Sequence, residues 1–275
     1  MSAARRRLAV GLEYDGARFA GWQLQPGRST IQDHVQRALG SIADHPVEVT
    51  CAGRTDAAVH ANGQVAHFDT TSDRPMRGWV LGANGELPPE IAMLWAVEID
   101  ARFHARHSAH SRSYRYCILQ RATRPALLRE RVWWVRTELD AATMHEAAQQ
   151  LVGEHDFSAF RAAECQSKTT RRRIDTISVV ADGLLVTIEV TANAFLHHMV
   201  RNIVGTLLPV GTGEQKPGWV AETLASRDRA HAGITAPAHG LYLARVRYAQ
   251  DLGIPELVQL PPWAMIAGQS QRGPT

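Results

Sequence analysis

Apolar and polar residues alternate in patterns that predict strands and helices in mixed order along the chain. Short apolar runs bounded by turn residues predict strands at 8–14, 47–51, 64–68, 91–99, 114–119, 174–180, 184–190 and 241–248. The predicted strands at 174–180 and 184–190 flank Asp182-Gly183. This dipeptide favours a tight turn, so we expect a hairpin there.

Apolar residues three or four positions apart predict the helices. This spacing is clear at 31–42, 144–151, 195–208 and 219–226, and it is weaker at 78–83. Ser29, followed three residues later by Gln32, predicts a capping box before the first helix. Asp140 precedes the second helical segment and is its expected N-cap.

The order of these elements is not a strict β-α-β alternation, which favours α+β with an antiparallel sheet over a doubly wound parallel fold. A chain of 275 residues has room for one large domain or two of ordinary size. We predict a first α+β half at 1–104, a second at 105–250, and a proline-containing tail at 251–275. No sequence repeat demonstrates that the halves are similar.

Composition restricts the class of protein and its compartment. Apolar residues make up 45% of the chain and charged residues 21%, which excludes intrinsic disorder. Three cysteines, Cys51, Cys117 and Cys165, are an odd number without CxxC spacing, as expected of free thiols in a reducing cytosol. Without a signal-peptide pattern or an apolar stretch of membrane-spanning length, we expect a cytoplasmic protein that does not contact membranes.

The basic residues are almost all arginines, and many of them are clustered. Lys168 and Lys216 are the only lysines among 30 basic residues. Residues 101–136 contain nine arginines and a single acidic residue, Glu130, and Arg171-Arg172-Arg173 follows. Such clusters indicate a polyanionic partner, and the nearby Tyr114 and Tyr116 suit stacking on unpaired bases. The alternative is a solvated face whose arginines pair with acids elsewhere in the chain.

A polar loop at 53–63 contains the residues best suited to chemistry. It follows a predicted strand, and its Asp56 lies two residues after Arg54. A cation close to a carboxylate keeps it ionised, so Asp56 could act as a nucleophile or base. Alternatively, Asp56 and Thr55 could simply bond the loop backbone.

The loop sequence Ala52-Gly-Arg-Thr-Asp56, followed by Val59-His60-Ala61, resembles the signature of TruA-type tRNA pseudouridine synthases. Further matching stretches occur in the family's order over residues 8–248. They are Tyr14-Asp15-Gly16, Gly21-Trp22-Gln23, Phe103-His104-Ala105-Arg106, Tyr114-Arg115-Tyr116, Asp156-Phe157, Asn193 to Asn202, and Gly240-Leu241-Tyr242-Leu243. One such motif could arise by chance, whereas this many in register are specific.

The resemblance implies isomerisation of uridine to pseudouridine at positions 38, 39 and 40 of the tRNA anticodon stem-loop. It implies no cofactor, no metal, and a homodimer that holds tRNA in basic clefts. The fold class expected is α+β, with two ferredoxin- or RRM-like halves forming a continuous, mostly antiparallel sheet, helices packed on one side, and a basic cleft.

By the same resemblance, individual residues acquire roles. Asp56 is the expected nucleophile, Arg54 turns the target nucleotide into the site, Tyr114 stacks on the base, Arg201 pairs with Asp56, and Leu243 lines the pocket. The arginine clusters add the expected RNA-binding residues Arg112, Arg115, Arg171, Arg172 and Arg173. We place Arg201 on the same helical stripe as His197, four residues earlier.

Some features depart from this interpretation or leave others open. Ala58 occupies a position where the family usually has glycine, which would cost about 1 kcal/mol if the position needs a positive φ. His197-His198 suggests a metal site, but adjacent helical residues point about 100° apart and cannot chelate one ion together. An N-glycosidase could use the same Arg54 and Asp56. A non-catalytic RNA-binding protein could use the arginines, but it has no reason to place Asp56 in a basic cleft.

Overall fold

The computed structural model describes residues 5–165 and 167–255, which pack as two compact units. The first unit contains the described residues up to His110 together with those from Leu243 onward, and the second is Ser111–Tyr242. The predicted halves at 1–104 and 105–250 differ from this division, because residues 243–250 group with the first unit. Most of the predicted tail at 251–275 lies outside the described residues.

The first unit is built on an antiparallel sheet crossed by two helices. Its elements are β1 (Arg6–Tyr14), α1 (Ile31–Ala43), β2 (Thr50–Cys51), β3 (His60–Thr70), α2 (Met76–Glu86) and β4 (Ile91–Ile99). β1 lies between β3 and β4, with Val10 opposite Ala66 on one side and Ala96 on the other. A last strand, β10 (Leu241–Arg247), lies beside β3 with its residues from Leu243 onward.

Apolar side chains hold the helices of this unit against the sheet. Ile31, Val35 and Leu39 recur along one face of α1 and are fully buried, as their spacing predicts. In α2, Trp79 is fully buried and its ring meets the edge of Phe68 at 5.2 Å between centroids. These contacts pack α1 and α2 against the sheet, and the loops at the strand ends are attached to this packed core.

The second unit is also a layer of helices on a mostly antiparallel sheet. Its elements are β5 (Ser111–Gln120), β6 (Trp133–Val135), α3 (Ala141–Ala148), β7 (Gly153–Asp156), β8 (Arg171–Asp182), β9 (Leu185–Ala192), α4 (Met199–Gly211) and α5 (Trp219–Ser226). The strand order is β5-β9-β8-β7, all antiparallel, and the short β6 pairs in parallel with β5. The predicted α+β class with a mostly antiparallel sheet is therefore confirmed.

Several local predictions are confirmed closely. β8 and β9 form the expected hairpin, with Gly183 in the left-handed region at φ +57°. The carboxylate of Asp140 accepts a hydrogen bond of 2.9 Å from the backbone N–H of Thr143 and so caps α3. In residues 5–165 and 167–255, no helix has the length and apolar character needed to cross a membrane.

Other local predictions are wrong in ways that tertiary contacts explain. The N-cap of α1 is Thr30, not Ser29, and the Gln32 side chain bonds the backbone of Leu24 and Val49 instead of completing a capping box. The strand predicted over 47–51 is reduced to the two residues of β2. The helix predicted from Phe195 begins only at Met199, as α4.

Candidate active site

The loop predicted at 53–63 spans residues 52–59 in the structure, between β2 and β3 of the first unit, because residues 60–63 already belong to β3. Backbone hydrogen bonds attach it to the segment before α1: Trp22 N–H donates to Thr55 O over 3.0 Å, and Ala58 N–H to Phe19 O over 3.3 Å. Within the loop, Val59 N–H donates to Asp56 O over 3.2 Å. The backbone on both sides of Asp56 is therefore held in one conformation.

Gly21 allows this close approach. Its φ is +92°, and a Cβ at this position would lie 2.7 Å from the carbonyl oxygen of Thr55. An L-residue would be strained at that φ and would push the loop away. The glycine of the Gly-Trp-Gln stretch thus has a physical role in seating the loop that carries Asp56.

Buried polar side chains support the loop from inside. The Tyr14 and Thr55 hydroxyls are hydrogen-bonded at 2.8 Å, and the Gln64 amide donates to Tyr14 Oη at 3.3 Å and to Gly53 O at 2.7 Å. Thr55 and Gln64 are buried. Because Thr55 turns inward, its neighbours turn outward: Asp56 is half-buried and the Arg54 side chain is exposed.

Ala58 has φ +61°, so this position does need the left-handed region that glycine adopts at no steric cost. The residue is partly buried and its backbone N–H is bonded to Phe19. The loop therefore keeps its shape at the expense of about 1–2 kcal/mol of local strain.

Cys51 ends β2 immediately before the loop, and its thiol is a second nucleophile in sequence terms. Burial raises its pKa to about 12, although Arg54 and Arg106 act in the opposite direction. Since the thiolate is the reactive form, Cys51 is inert at neutral pH. Asp56, by contrast, is only half-buried, so its carboxylate is the more accessible of the two candidate nucleophiles.

The second unit holds the aromatic residue expected to stack on the base. Tyr114 lies on β5, is 8% exposed, and meets the ring of Phe195 edge-on at 5.0 Å. Tyr116, two residues later, lies on the same face of the strand. Its hydroxyl donates to the Pro237 carbonyl over 2.8 Å, and burial raises its pKa well above the usual value.

Arg201 lies in the first turn of α4 and is half-buried. Its Nε–H donates to the Ala236 carbonyl over 2.7 Å, and its own carbonyl accepts from Ala236 N–H over 3.1 Å. A guanidinium has five N–H donors, so this contact uses one of them and fixes the direction of the rest.

The two histidines before α4 are arranged differently from expectation. His198 is the N-cap of the helix, at φ +61°, and His197 precedes it, so His197 does not share a helical stripe with Arg201. Their rings lie 4.0 Å apart. Helical geometry therefore does not separate the two imidazole rings, contrary to our prediction. The absence of a metal site stays a prediction that rests on the family resemblance.

Leu243 is fully buried in β10, in the part of that strand that belongs to the first unit. The structure thus places Arg54, Asp56 and Leu243 in the first unit and Tyr114 and Arg201 in the second.

Two of the predicted RNA-binding arginines on β5 have partners within the second unit. Arg112 is 9% exposed and donates to the carbonyl of Asn193 over 3.1 Å. Arg115 forms a 2.7 Å ion pair with Glu189, its register partner on β9. Since side chains alternate along a strand, Arg115 lies on the opposite face from Tyr114.

The arginines at the start of β8 are more accessible. Arg171 pairs with Glu154 at 3.1 Å and Arg173 with Asp175 at 2.8 Å, and both arginine side chains are more than half exposed. Arg172 is half-buried, donates to backbone carbonyls and to Ser167, and has its pKa lowered by burial. Arg115, Arg171 and Arg173 therefore each pair with an acidic residue of the chain, as the alternative interpretation of the arginine clusters predicts.

The sequence interpretation did not identify the side chains that support these residues. Gln64 and Asn202 are fully buried and hydrogen-bonded, and the Tyr14 hydroxyl bonds Thr55. Tyr14 and Asn202 lie within stretches that match the family, and this match is the one sign of their importance in the sequence. The buried hydrogen bond between Tyr14 and Thr55 joins residues 41 positions apart, and no sequence pattern indicates such a contact.

Comparison with known proteins gives a consistent result. A family model described as tRNA pseudouridine synthase matches residues 12–108 and 147–249. A tRNA pseudouridine synthase A of Methylococcus capsulatus is 55% identical over 248 residues, 90% of this chain and 92% of that protein. Proteins of the same name from Aeromonas hydrophila and Vibrio campbellii are 51% and 50% identical, covering 94% and 91% of this chain and 96% and 95% of their own. The chain therefore belongs to the tRNA pseudouridine synthase family, enzymes that isomerise uridine to pseudouridine in tRNA.

Proposed function

We propose that this enzyme converts uridine to pseudouridine at positions 38, 39 and 40 of the tRNA anticodon stem-loop, with Asp56 as its nucleophile. The observation that carries the proposal is the clamped loop 52–59, which presents one half-buried carboxylate beside an exposed guanidinium. A group held in a single conformation meets its target without reorganisation, which lowers the barrier to reaction.

The reaction itself is balanced within the substrate. The N1–C1′ bond breaks and a C5–C1′ bond forms, while C5 loses a proton and N1 gains one. Because no atom or electron is gained or lost overall, no cofactor is required. The carboxylate of Asp56 adds to the sugar or the base, or takes a proton from the sugar; each path needs the base to detach and turn within a closed pocket.

The remaining residues position the target nucleotide or the nucleophile. The target uridine has to leave its stack, and Arg54 helps to turn it into the site. Tyr114 replaces the lost stacking with its own ring. Arg201 pairs with Asp56 and orients it, and Leu243 lines the pocket beneath the base.

Binding of tRNA depends on arginine side chains that can exchange an acidic partner for a phosphate. Among the five arginines predicted to bind RNA, Arg171 and Arg173 fit best, because exposed ion pairs contribute only about 1 kcal/mol or less and can be replaced by phosphates. We further propose that the enzyme acts as a homodimer in the cytoplasm.

Asp56→Asn tests the proposal, with Asp44→Asn as the matched control at an exposed position. The substrate is an unmodified tRNA transcript with uridines tritiated at C5, because the proton lost from C5 is released to solvent. We expect no release with Asp56→Asn, unchanged tRNA affinity, and normal release with the control. Full release with Asp56→Asn would remove Asp56 from the reaction. Appearance of free uracil with the unaltered enzyme would favour an N-glycosidase.

A further inference from the structure

A short segment of the second unit, residues 232–237, packs against the first half of α4, from Arg201 to Thr206, and we refer to it as the strap. It connects the turn after α5 to the final strand. The strap contacts α4 closely because Gly205 has no side chain: a Cβ there would overlap the carbonyl oxygen of Ile234. Thr206 assists, since its hydroxyl accepts a hydrogen bond of 3.0 Å from Gly233 N–H.

Arg229 holds the first part of the strap. Its Nη1 donates to the carbonyls of Ala232 and Gly233 at 3.4 and 2.8 Å, and its Nη2 donates to Asn202 Oδ1 and Thr235 Oγ1 at 3.2 and 3.0 Å. These acceptors are neutral oxygens, and the flat guanidinium reaches strap and helix together. A lysine ammonium cannot reproduce that fork.

Asn202 and Thr235 complete the connection to the helix. Asn202 is fully buried, donates to the Phe160 carbonyl at 2.8 Å, and accepts from the Thr235 hydroxyl at 2.7 Å. The Thr235 hydroxyl therefore accepts from Arg229 and donates to Asn202. Because a buried polar network is costly to leave half satisfied, its members fix one another's positions.

The far end of the strap is fixed by residues already assigned to the site. Ala236 is fully buried and exchanges two hydrogen bonds with Arg201, one from the Arg201 side chain and one to its backbone. The next carbonyl, that of Pro237, accepts from the Tyr116 hydroxyl. The position of the Ala236 carbonyl, and with it the direction of the Arg201 guanidinium, depends on how the strap is seated.

We propose that Arg229 is a positioning residue: through Thr235 and Asn202 it seats the strap on α4 and thereby orients Arg201. The inference rests on the proposed function, because it takes Arg201 to be the partner of Asp56. Arg229 itself has no contact with substrate in this scheme. Its loss should slow the chemical step and leave tRNA binding in place.

Two matched pairs of variants test this in the full-length enzyme. Arg229→Lys is compared with Arg227→Lys, since Arg227 lies in the same turn, is 68% exposed and contacts Asp156 rather than the strap. Thr235→Val, which removes the bridging hydroxyl, is compared with Thr235→Ser, which keeps it. The measurements are the single-turnover rate of tritium release from the C5-tritiated tRNA transcript and the tRNA dissociation constant by filter binding.

We expect Arg229→Lys and Thr235→Val to lower the single-turnover rate by about 10- to 100-fold, with tRNA affinity unchanged, because misplacement by about 1 Å has effects of that size. Arg227→Lys and Thr235→Ser should keep the wild-type rate. Recovery of the rate with serine would separate the hydroxyl bridge from a general loss of structure.

Wild-type rates for both Arg229→Lys and Thr235→Val, alongside an inactive Asp56→Asn, would overturn the positioning role and leave the proposed function standing. An equal loss with Thr235→Ser and Thr235→Val would also overturn it. If Arg229→Lys weakens tRNA binding by the same factor as the rate, Arg229 contacts RNA and does not act through Arg201. An active Asp56→Asn would instead refute the proposed function.

Discussion

The backbone at Ala58 offers a quantitative test of how the loop carrying Asp56 is built. Ala58→Gly changes only a methyl group, at a residue with φ +61°. An L-residue in the left-handed region costs about 1–2 kcal/mol, which glycine avoids. Against this, glycine adds freedom to the unfolded chain worth about 0.4–1 kcal/mol, and the partly buried methyl contributes about 0.4 kcal/mol.

The balance predicts that Ala58→Gly stabilises the protein by about 0.5 kcal/mol, or about 1–2 °C in melting temperature for a chain of this size. Ala57→Gly is the matched control, because Ala57 lies in the same turn and its φ is outside the positive range. That change should destabilise by about 0.5–1 kcal/mol, since only the unfolded-state effect remains. The two variants should therefore differ by about 1–1.5 kcal/mol.

The free energy of unfolding of both variants and the wild type is measured by urea denaturation. Equal m-values would show that the midpoints report stability alone. The single-turnover rate of Ala58→Gly should stay at the wild-type value, because the loop already has the conformation that glycine prefers. If Ala58→Gly destabilises as much as Ala57→Gly, the left-handed strain at Ala58 does not exist and the reasoning is wrong.

Two further predictions concern charge. Arg171→Ala and Arg173→Ala should each reduce the slope of log affinity for tRNA against log salt by about 1, because their side chains are more than half exposed. Arg115→Gln should leave the slope unchanged, because the Arg115 side chain is mostly buried in its ion pair with Glu189; equal slopes for all three would refute this assignment. The pKa of His67 is lowered from 6.5 to about 4 by burial and by Arg7 and His104, so the folded protein excludes a proton that the unfolded chain binds. The free energy of unfolding should thus fall by up to about 3 kcal/mol as pH drops from 6.5 to 4, and His67→Gln should flatten that dependence in pH-dependent urea melts; an unaltered pH dependence would contradict it.

Elements governed by local chemistry could be predicted from the sequence alone. The hairpin at Asp182-Gly183, the Asp140 cap and the strand β4 all follow from residues within a few positions of one another. The same holds for a loop after β2, which polar residues at 53–63 predict and the structure has at 52–59. Turn preference, capping and periodicity act over one or two turns of chain, so neighbouring residues suffice to specify them.

Elements that depend on distant partners could not be predicted this way. Gln32 contacts Val49 instead of capping its own helix, and α4 starts later than its apolar spacing indicates, with His198 in a left-handed conformation. Arg115 is paired with Glu189, 74 positions away along the chain, and no local pattern indicates that partner. These features arise only in the folded chain, so the preferences of neighbouring residues do not reveal them.

The class of fold and the family follow from the sequence, because apolar periodicity and contiguous motifs are local properties. The polar groups that support the loop carrying Asp56 become visible only in the folded chain. Thr55 is bonded by Tyr14, Ala58 is held at a positive φ, and Arg201 is tied to Ala236. These contacts join residues 35 to 41 positions apart, or follow from backbone angles imposed by neighbours, and burial makes them obligatory because an unpaired polar group in the interior is costly.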